Sequence, residues 1–415
     1  MPQRLFALVL IFALAACLCA CGTRMQESAA QVGAEPSILP TATPDPTPTP
    51  SPTPTPTPSP TPEPRSATTG RWFADGVPNP TYQPVMVSIE NAPGARPQIA
   101  LNMADIIYEA PVEYSITRFH VVFNDEYPLF AGPVRSSRVY WMRLQQEWNT
   151  MYVHRGYGGL PYSRKWVGIH IEPYLIDTGD MFWRMRGKKS VHSLMVNVPE
   201  VVDAFYPGNV AVPYRRFLFA DEPDVSGGKP FEKVALNFFY RRQKEKNWIT
   251  FLHDEETNLL SRYQDGRLFY TRTPVSGRSP GTARIERKEP FSCQNLIVQY
   301  VAFSEVGDEK DHRDAVLNGQ GKCDYFVNGM HLTGYWSRLS YSDKTTYYLD
   351  SGEVLTLAPG RTWICLHPDD FSVSPVVITY RDGTTGEPAA SNATLLPPVD
   401  DETGIAAEDL MVADE

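Results

Sequence analysis

Cysteine is scarce in this chain beyond its first residues. Three of the six, Cys17, Cys19 and Cys21, fall near the N-terminus, and only Cys293, Cys323 and Cys365 serve the remaining length. No two of those three stand at Cys-x-x-Cys spacing, which excludes the common zinc and dithiol redox motifs. They read as small buried residues, with one disulfide as the alternative. No His-x-x-x-His pair occurs among the eight histidines, so no metal and no other cofactor is expected. Gly-Lys-Ser and Gly-Lys-Thr are also missing, and with them the phosphate loop of nucleotide hydrolases. A basic excess is lacking too, since 38 Lys and Arg face 48 Asp and Glu for a net charge of −10. A nucleic-acid binder should be basic, so that partner is set aside.

What is present begins with an export signal. Arg4 precedes an apolar run over residues 5–20. The run falls short of the ~20 residues of a comfortable transmembrane helix and fits a secretion signal. It ends in two tetrads that look like lipoprotein cleavage sites, Leu14-Ala15-Ala16-Cys17 and Leu18-Cys19-Ala20-Cys21. Cys21 is the favoured lipidation site, because it leaves a signal of ordinary length over residues 1–21; Cys17 is the alternative. From Pro44 to Pro64 every second residue is proline. Proline removes a donor and fixes φ, so the linker over residues 22–71 should be extended, reaching roughly 65 Å at ~3.1 Å per residue across its proline tract. At the other end, residues 383–415 hold eight acids and no Lys or Arg, which leaves −2 for everything before them. This tail reads as solvated and disordered.

Between these segments lies a folded body of α+β class. Strands are expected near residues 85–89, 112–123 and 151–154, with helices around 99–107 and from Ser136 or Ser137 to Trp148. Tyr140, Leu144 and Trp148 recur at helical spacing on one face. This alternation points to a mixed α/β N-terminal domain over residues 72–222. After the Gly-rich stretch 221–229, short aromatic and β-branched segments follow one another, and Asn328-Gly329 suits a type I′ turn. Residues 229–382 therefore read as a mostly antiparallel β C-terminal domain.

Acids, arginines and histidine crowd most closely into residues 91–156. Arg135 and Arg138 flank Ser136 at the start of an expected helix, where free backbone N–H groups and the helix dipole suit an anion. Glu109 and Glu113 would accept from hydroxyl or amine groups, Arg118 and His154 would line the floor, and Arg155 and His192 would stand close by. Two alternatives stay open. The arginines could pair with Asp105, Glu109 or Glu113 in an internal ion-pair network. Alternatively, Glu109 and Glu113 could work with His154 as the acid and base of an envelope glycan or peptide hydrolase.

The same stretches carry a family likeness. Asn91 with Arg96-Pro97, the run Ala104-Asp105-Ile106-Ile107-Tyr108-Glu109, Glu113 with Ile116-Thr117-Arg118-Phe119, Gly132-Pro133-Val134-Arg135-Ser136-Ser137-Arg138, His154 with Gly156, and His192 resemble the YerB-type lipoproteins. The likeness continues through Asn295-Leu296-Ile297-Val298, Gly319-Gln320-Gly321, Gly334-Tyr335-Trp336 and Ala358-Pro359-Gly360-Arg361-Thr362-Trp363, so it covers about residues 84–368. Two departures stand out. Tyr114-Ser115 replaces two glycines, and Val191-His192-Ser193 replaces Pro-His-Asn. The resemblance implies an exported bacterial lipoprotein with paired domains of unassigned function, and supplies no reaction. The expected protein is a lipid-anchored binding or accessory protein of a Gram-positive-type envelope. It would sit on the outer face of the cytoplasmic membrane and extend into the cell wall. Its partner there would be an anionic or glycan-containing group or an envelope protein.

Overall fold

The computed structural model describes residues 65–158, 170–171, 178–206, 217–239, 246–310, 312–339, 343–370, 372 and 374–389. The export signal with Cys21, the proline tract up to Pro64 and the tail from residue 390 lie outside the described residues. The body includes residues ahead of Trp72. Ser66, Thr68 and Thr69 are buried there, with Thr68 Oγ1 donating to Asp105 Oδ2 and Ser66 Oγ to Asp125 Oδ1, each at 2.6 Å. At the far end Thr385–Gly386 still forms a strand and Ala389 is buried, so the body also runs past residue 382.

Strand Ile106–Pro111 lies mid-sheet. On one side it pairs antiparallel with Thr117–Phe123, which pairs with Val85–Glu90, which runs parallel to Met151–Val153. On its other side it runs parallel to Thr362–Pro368, which runs parallel to Asn295–Val301. Gly319–Val327, Met330–Arg338 and Thr346–Leu349 then extend the sheet antiparallel. Residues on both flanks of the expected domain boundary thus share one sheet. Its central strands read as apolar runs, such as Asn295–Val301 and Thr362–Pro368, because both faces are covered.

On one face, α1 (Val139–Trp148) joins Met86, Tyr108, Val122 and Tyr152 in a core through Tyr140, Trp141, Leu144 and Trp148. On the other, α2 (Val198–Phe205) contributes Val198 and Val201 to the core of Val85, Val87, Ile107, Phe119 and Phe123. That second core continues into strands Lys229–Leu236, Ile249–Asp254 and Leu259–Gln264 through Phe231, Val234, Ile249, Phe251 and Leu260.

The described residues are predominantly β, 46% in strands with two α-helices, so the mixed α/β character expected of the first half holds only in part. The helix expected around residues 99–107 is a single turn, Leu101–Met103, followed at once by strand Ile106–Pro111. Ala100 has φ 76°, and Ile106 and Ile107 bury opposite faces of a strand with partners on both sides. The strand expected from residue 112 starts only at Thr117, after a turn at Glu113–Ser115. Tyr114 and Ser115 take φ of 62° and 53° there, a left-handed conformation that glycine enters without strain. Asn328 and Gly329 have φ of 47° and 75°, as the expected turn requires. Cys293, Cys323 and Cys365 are buried free thiols.

Candidate functional site

The acids and arginines of residues 91–156 divide into three groups. In the first, Glu109 is fully buried on the strand beside Cys365, and its partner is Arg262, equally buried. Arg262 Nη2 donates to both Glu109 oxygens at 2.9 and 3.1 Å, and to Gln264 Oε1 at 3.0 Å. Thr117 Oγ1 adds a donor to Glu109 at 2.6 Å. The guanidinium lies 4.2 Å from the Phe269 ring centroid and 5.0 Å from that of Trp363, so aromatic faces surround the charge. Arg262 was not legible as a partner, 153 residues away. A signal existed in strand Leu259–Gln264, where Leu260, Arg262 and Gln264 are the inward phase and a charge therefore occupies an apolar position.

The second group is Glu113 with Arg138 and Arg118. Arg138 Nε reaches Glu113 Oε2 at 3.0 Å and Nη2 bonds Oε1, while Arg118 Nη2 stands 3.8 Å from Oε1. Burial pushes the Glu113 carboxyl up, but Arg138 and Arg118 together outweigh it and hold it below its ordinary value. Burial, then Arg138, pulls Arg118 down to about 10. In the third group Glu90, buried at a strand end, meets Arg135 Nε at 3.2 Å and His192 Nδ1 at 2.8 Å. Glu90 was also missed, hidden at the end of a run otherwise read as a buried strand.

These pairings alter the expected anion pocket. Arg138 is 3% exposed and committed to Glu113 and the Ser137 carbonyl. The N–H groups on either side of Ser136 are occupied, Arg135 N–H by the Ser88 carbonyl and Ser137 N–H by the Gly156 carbonyl. Ser136 presents its own carbonyl to Arg118 Nη1 at 2.9 Å. Neither serine caps the helix. It starts at Val139 with Arg138 extended, and Ser137 Oγ instead accepts from Tyr152 at 2.8 Å. His154 is buried, its Nδ1 3.2 Å from the Gly156 carbonyl, and Arg155 N–H bonds the Arg135 carbonyl. A further buried histidine, His120, stacks on Trp141 at 3.6 Å with its Nε2 2.5 Å from the Tyr152 hydroxyl. Burial, with Arg118 and other cations beside it, holds His120 neutral.

An open site lies next to the first group. A cleft of about 500 Å³ is lined by Arg96, Pro97, Lys246, Arg267, Tyr270 and Lys288. Asp265 is its one acid, and buried Gln264, which accepts from Arg262, forms part of its floor. Arg96 is anchored by donating to Asn91 Oδ1 at 3.0 Å and the Asn91 carbonyl at 2.8 Å. Burial and then Arg262 lower it to about 10, against Glu109 and Asp265. The Lys288 ammonium sits 4.5 Å from the Tyr270 ring centroid.

Residues 68–209 match the family described as "Protein of unknown function (DUF3048) N-terminal domain", and residues 237–364 match the corresponding C-terminal domain. The chain belongs to the DUF3048 family. It is 27% identical over 293 residues to YerB of Bacillus subtilis, named as a candidate lipoprotein, covering 69% of this chain and 82% of that one. The crystal structure of YerB from Bacillus subtilis has the same fold, with a TM-score of 0.59 at 23% identity over 75% of this chain and 99% of that one. Within the DUF3048 framework the cleft lies at the seam: Arg96 comes from the N-terminal match, and Lys246, Arg267 and Lys288 from the C-terminal one.

The ion pairs have a pH signature. Because its folded-state value is depressed, Glu113 contributes stability above its ordinary value of 4.5 and loses that contribution as pH falls through the lower folded-state value. In thermal melts Glu113→Gln should trail the wild type by a steady margin at neutral pH, and the two should converge in acid. A margin that persists unchanged down to about pH 3 would contradict the pairing.

Proposed function

We propose that this is a lipid-anchored, extracytoplasmic binding protein of a Gram-positive-type cell envelope, and that it holds an anionic ligand in the basic cleft without chemical turnover. One observation carries the binding role. Four cations from separate segments of the chain, Arg96, Lys246, Arg267 and Lys288, converge on a cleft with a single acid, although the chain as a whole is acidic. Field lines of one sign concentrated in a concave site raise the local concentration of an oppositely charged ligand. The volume is within the ~300–1,000 Å³ of small-molecule sites, and Tyr270, Phe269 and Pro97 offer apolar surface to the uncharged part of such a ligand.

The hydrolase alternative has less support. Glu109 and Glu113 each have an arginine partner of their own, which is the arrangement of a frame rather than of an acid and a base facing a common bond. The run Gly277-Arg278-Ser279-Pro280-Gly281 has the spacing of a nucleophile elbow, but it lies at an exposed hairpin tip between two strands, not between strand and helix. The anchoring role draws on the signal ending at Cys21, the proline spacer and the name of the YerB relative.

Tripolyphosphate is a suitable probe. The purified full chain should bind it in calorimetry with an affinity that falls as salt rises, and Arg267→Ala or Lys288→Ala should each weaken binding by about fivefold or more. Arg135→Ala should leave this small ligand unaffected. Failure to bind, or binding indifferent to both cleft substitutions, contradicts the reading. For the anchor, Cys21→Ala should move the chain out of the membrane fraction of expressing cells. Continued retention there, with release by Cys17→Ala instead, would transfer the lipid to Cys17.

A further inference from the structure

We infer that the ligand is a linear polyanion, which lies in the cleft with one stretch and crosses the loop bearing Arg96 onto a second row of cations formed by Arg272, Lys188 and Arg135. This rests on the cleft reading above and adds the ligand's class and its path. Residues 94–97 touch both basic zones. Arg96 and Pro97 face the cleft. In the second zone Lys188 Nζ donates to the Ala95 carbonyl at 2.8 Å, and the His192 ring lies so close to Gly94 that a Cβ there would come within 2.8 Å of it.

Lys288 joins the zones. It lines the cleft, and across the hairpin of Tyr270–Ser276 and Arg284–Pro290 it is the register partner of Arg272, so the two side chains stand on the same face of adjacent strands. Arg272 is near enough to Lys188 to add to the lowering that burial imposes, while Glu90 acts in the opposite direction. Glu90 in turn holds Arg135 and His192. The cations therefore follow one another from Lys246 and Arg267 through Arg96 and Lys288 to Arg272, Lys188 and Arg135.

The acids along this track are few and engaged. Glu289 accepts from Thr273 and Asn102, and Glu90 is shared between Arg135 and His192. A small anion neutralises only one end of such a track. A polymer with repeated charges engages both ends at once, and the second engagement gains from the first because it is intramolecular. Each additional cation that a polyanion contacts also releases a counterion, which steepens the dependence on salt.

The test compares long-chain polyphosphate and poly-L-glutamate with tripolyphosphate on the full chain, as wild type, Lys188→Ala and Lys188→Ala/Arg272→Ala. Lys229→Ala, an exposed lysine paired with Asp382, serves as a control for net charge. At least one polymer should bind more tightly than tripolyphosphate and with a steeper salt slope, and which of the two does so distinguishes a phosphate-bearing from a carboxylate-bearing ligand. The double substitution should weaken that polymer about tenfold while leaving tripolyphosphate unchanged, and Lys188→Ala alone should give an intermediate loss. Polymer binding that is unaffected by both variants, or reduced equally by Lys229→Ala, overturns the track but leaves the cleft standing. Loss of tripolyphosphate in the double variant overturns the division into cleft and track. Binding of neither polymer, with tripolyphosphate retained, refutes the polymer and spares the earlier reading.

Discussion

Glu109 and Arg262 face each other where no water reaches either, and the seam of the molecule is built around that pair. A carboxylate and a guanidinium taken out of water must satisfy one another and find further hydrogen bonds, or the fold that buries them is penalised by several kcal/mol. Here Thr117 donates to Glu109 and Gln264 accepts from Arg262 Nη2, while Arg262 Nε and Nη1 have no hydrogen-bond partner among the described residues and the guanidinium is flanked instead by the rings of Phe269 and Trp363. Because Glu109 belongs to the central strand and Arg262 to the strand layer of the second half, their union sets how the two halves meet. The parallel register of Ile106–Pro111 with Thr362–Pro368 reinforces it from the other edge. Gln264, held by Arg262, then presents part of the floor of the cleft.

This division of labour accounts for where charge is available. Three buried glutamates of the first half each have arginine partners: Glu109 has Arg262, Glu113 has Arg138 with Arg118 behind it, and Glu90 has Arg135 together with His192. The pairs of Glu109 and Glu113 are buried and leave little field for a ligand, whereas Arg135, paired with Glu90, stays about one-third exposed. The cleft differs because Arg96, Lys246, Arg267 and Lys288 share a single acid. An acidic protein can therefore offer a basic site, since net charge describes solubility and long-range repulsion and does not describe any one concave surface.

Much of the strand content could be read from residue order, and the reasons are local. Val85–Glu90 and Met151–Val153 are short apolar runs closed by Asn91 and the glycines after His154, and Asn328-Gly329 pins a hairpin by its backbone preference alone. Tyr140, Leu144 and Trp148 are in the core as read, but α1 is buried on nearly all sides rather than on one face. Ile99, Met103 and Ile106 mimicked helical spacing by chance, because a turn and the start of a strand happened to put apolar residues three and four apart. The family likeness was legible for the same local reason, in runs such as Gly132-Pro133-Val134-Arg135-Ser136. The pairings were not legible, since Arg262 meets Glu109 across 153 residues and no local pattern records that distance. Lys246, Arg267 and Lys288 were equally silent. Each is an ordinary exposed charge in its own segment, and only the fold brings them to one cleft with Arg96.

The claim that the acid and arginine cluster is a structural frame beside the site, and not the site itself, is tested most directly by a double-mutant cycle on Glu109 and Arg262. Chemical denaturation of the wild type, Glu109→Leu, Arg262→Met and the double variant gives the coupling. Each single change should cost about 3–5 kcal/mol by stranding a buried charge, and the double variant should be far more stable than the sum of the singles, because the charges are removed together. Single substitutions that leave stability nearly unchanged, or costs that simply add in the double variant, would contradict the account.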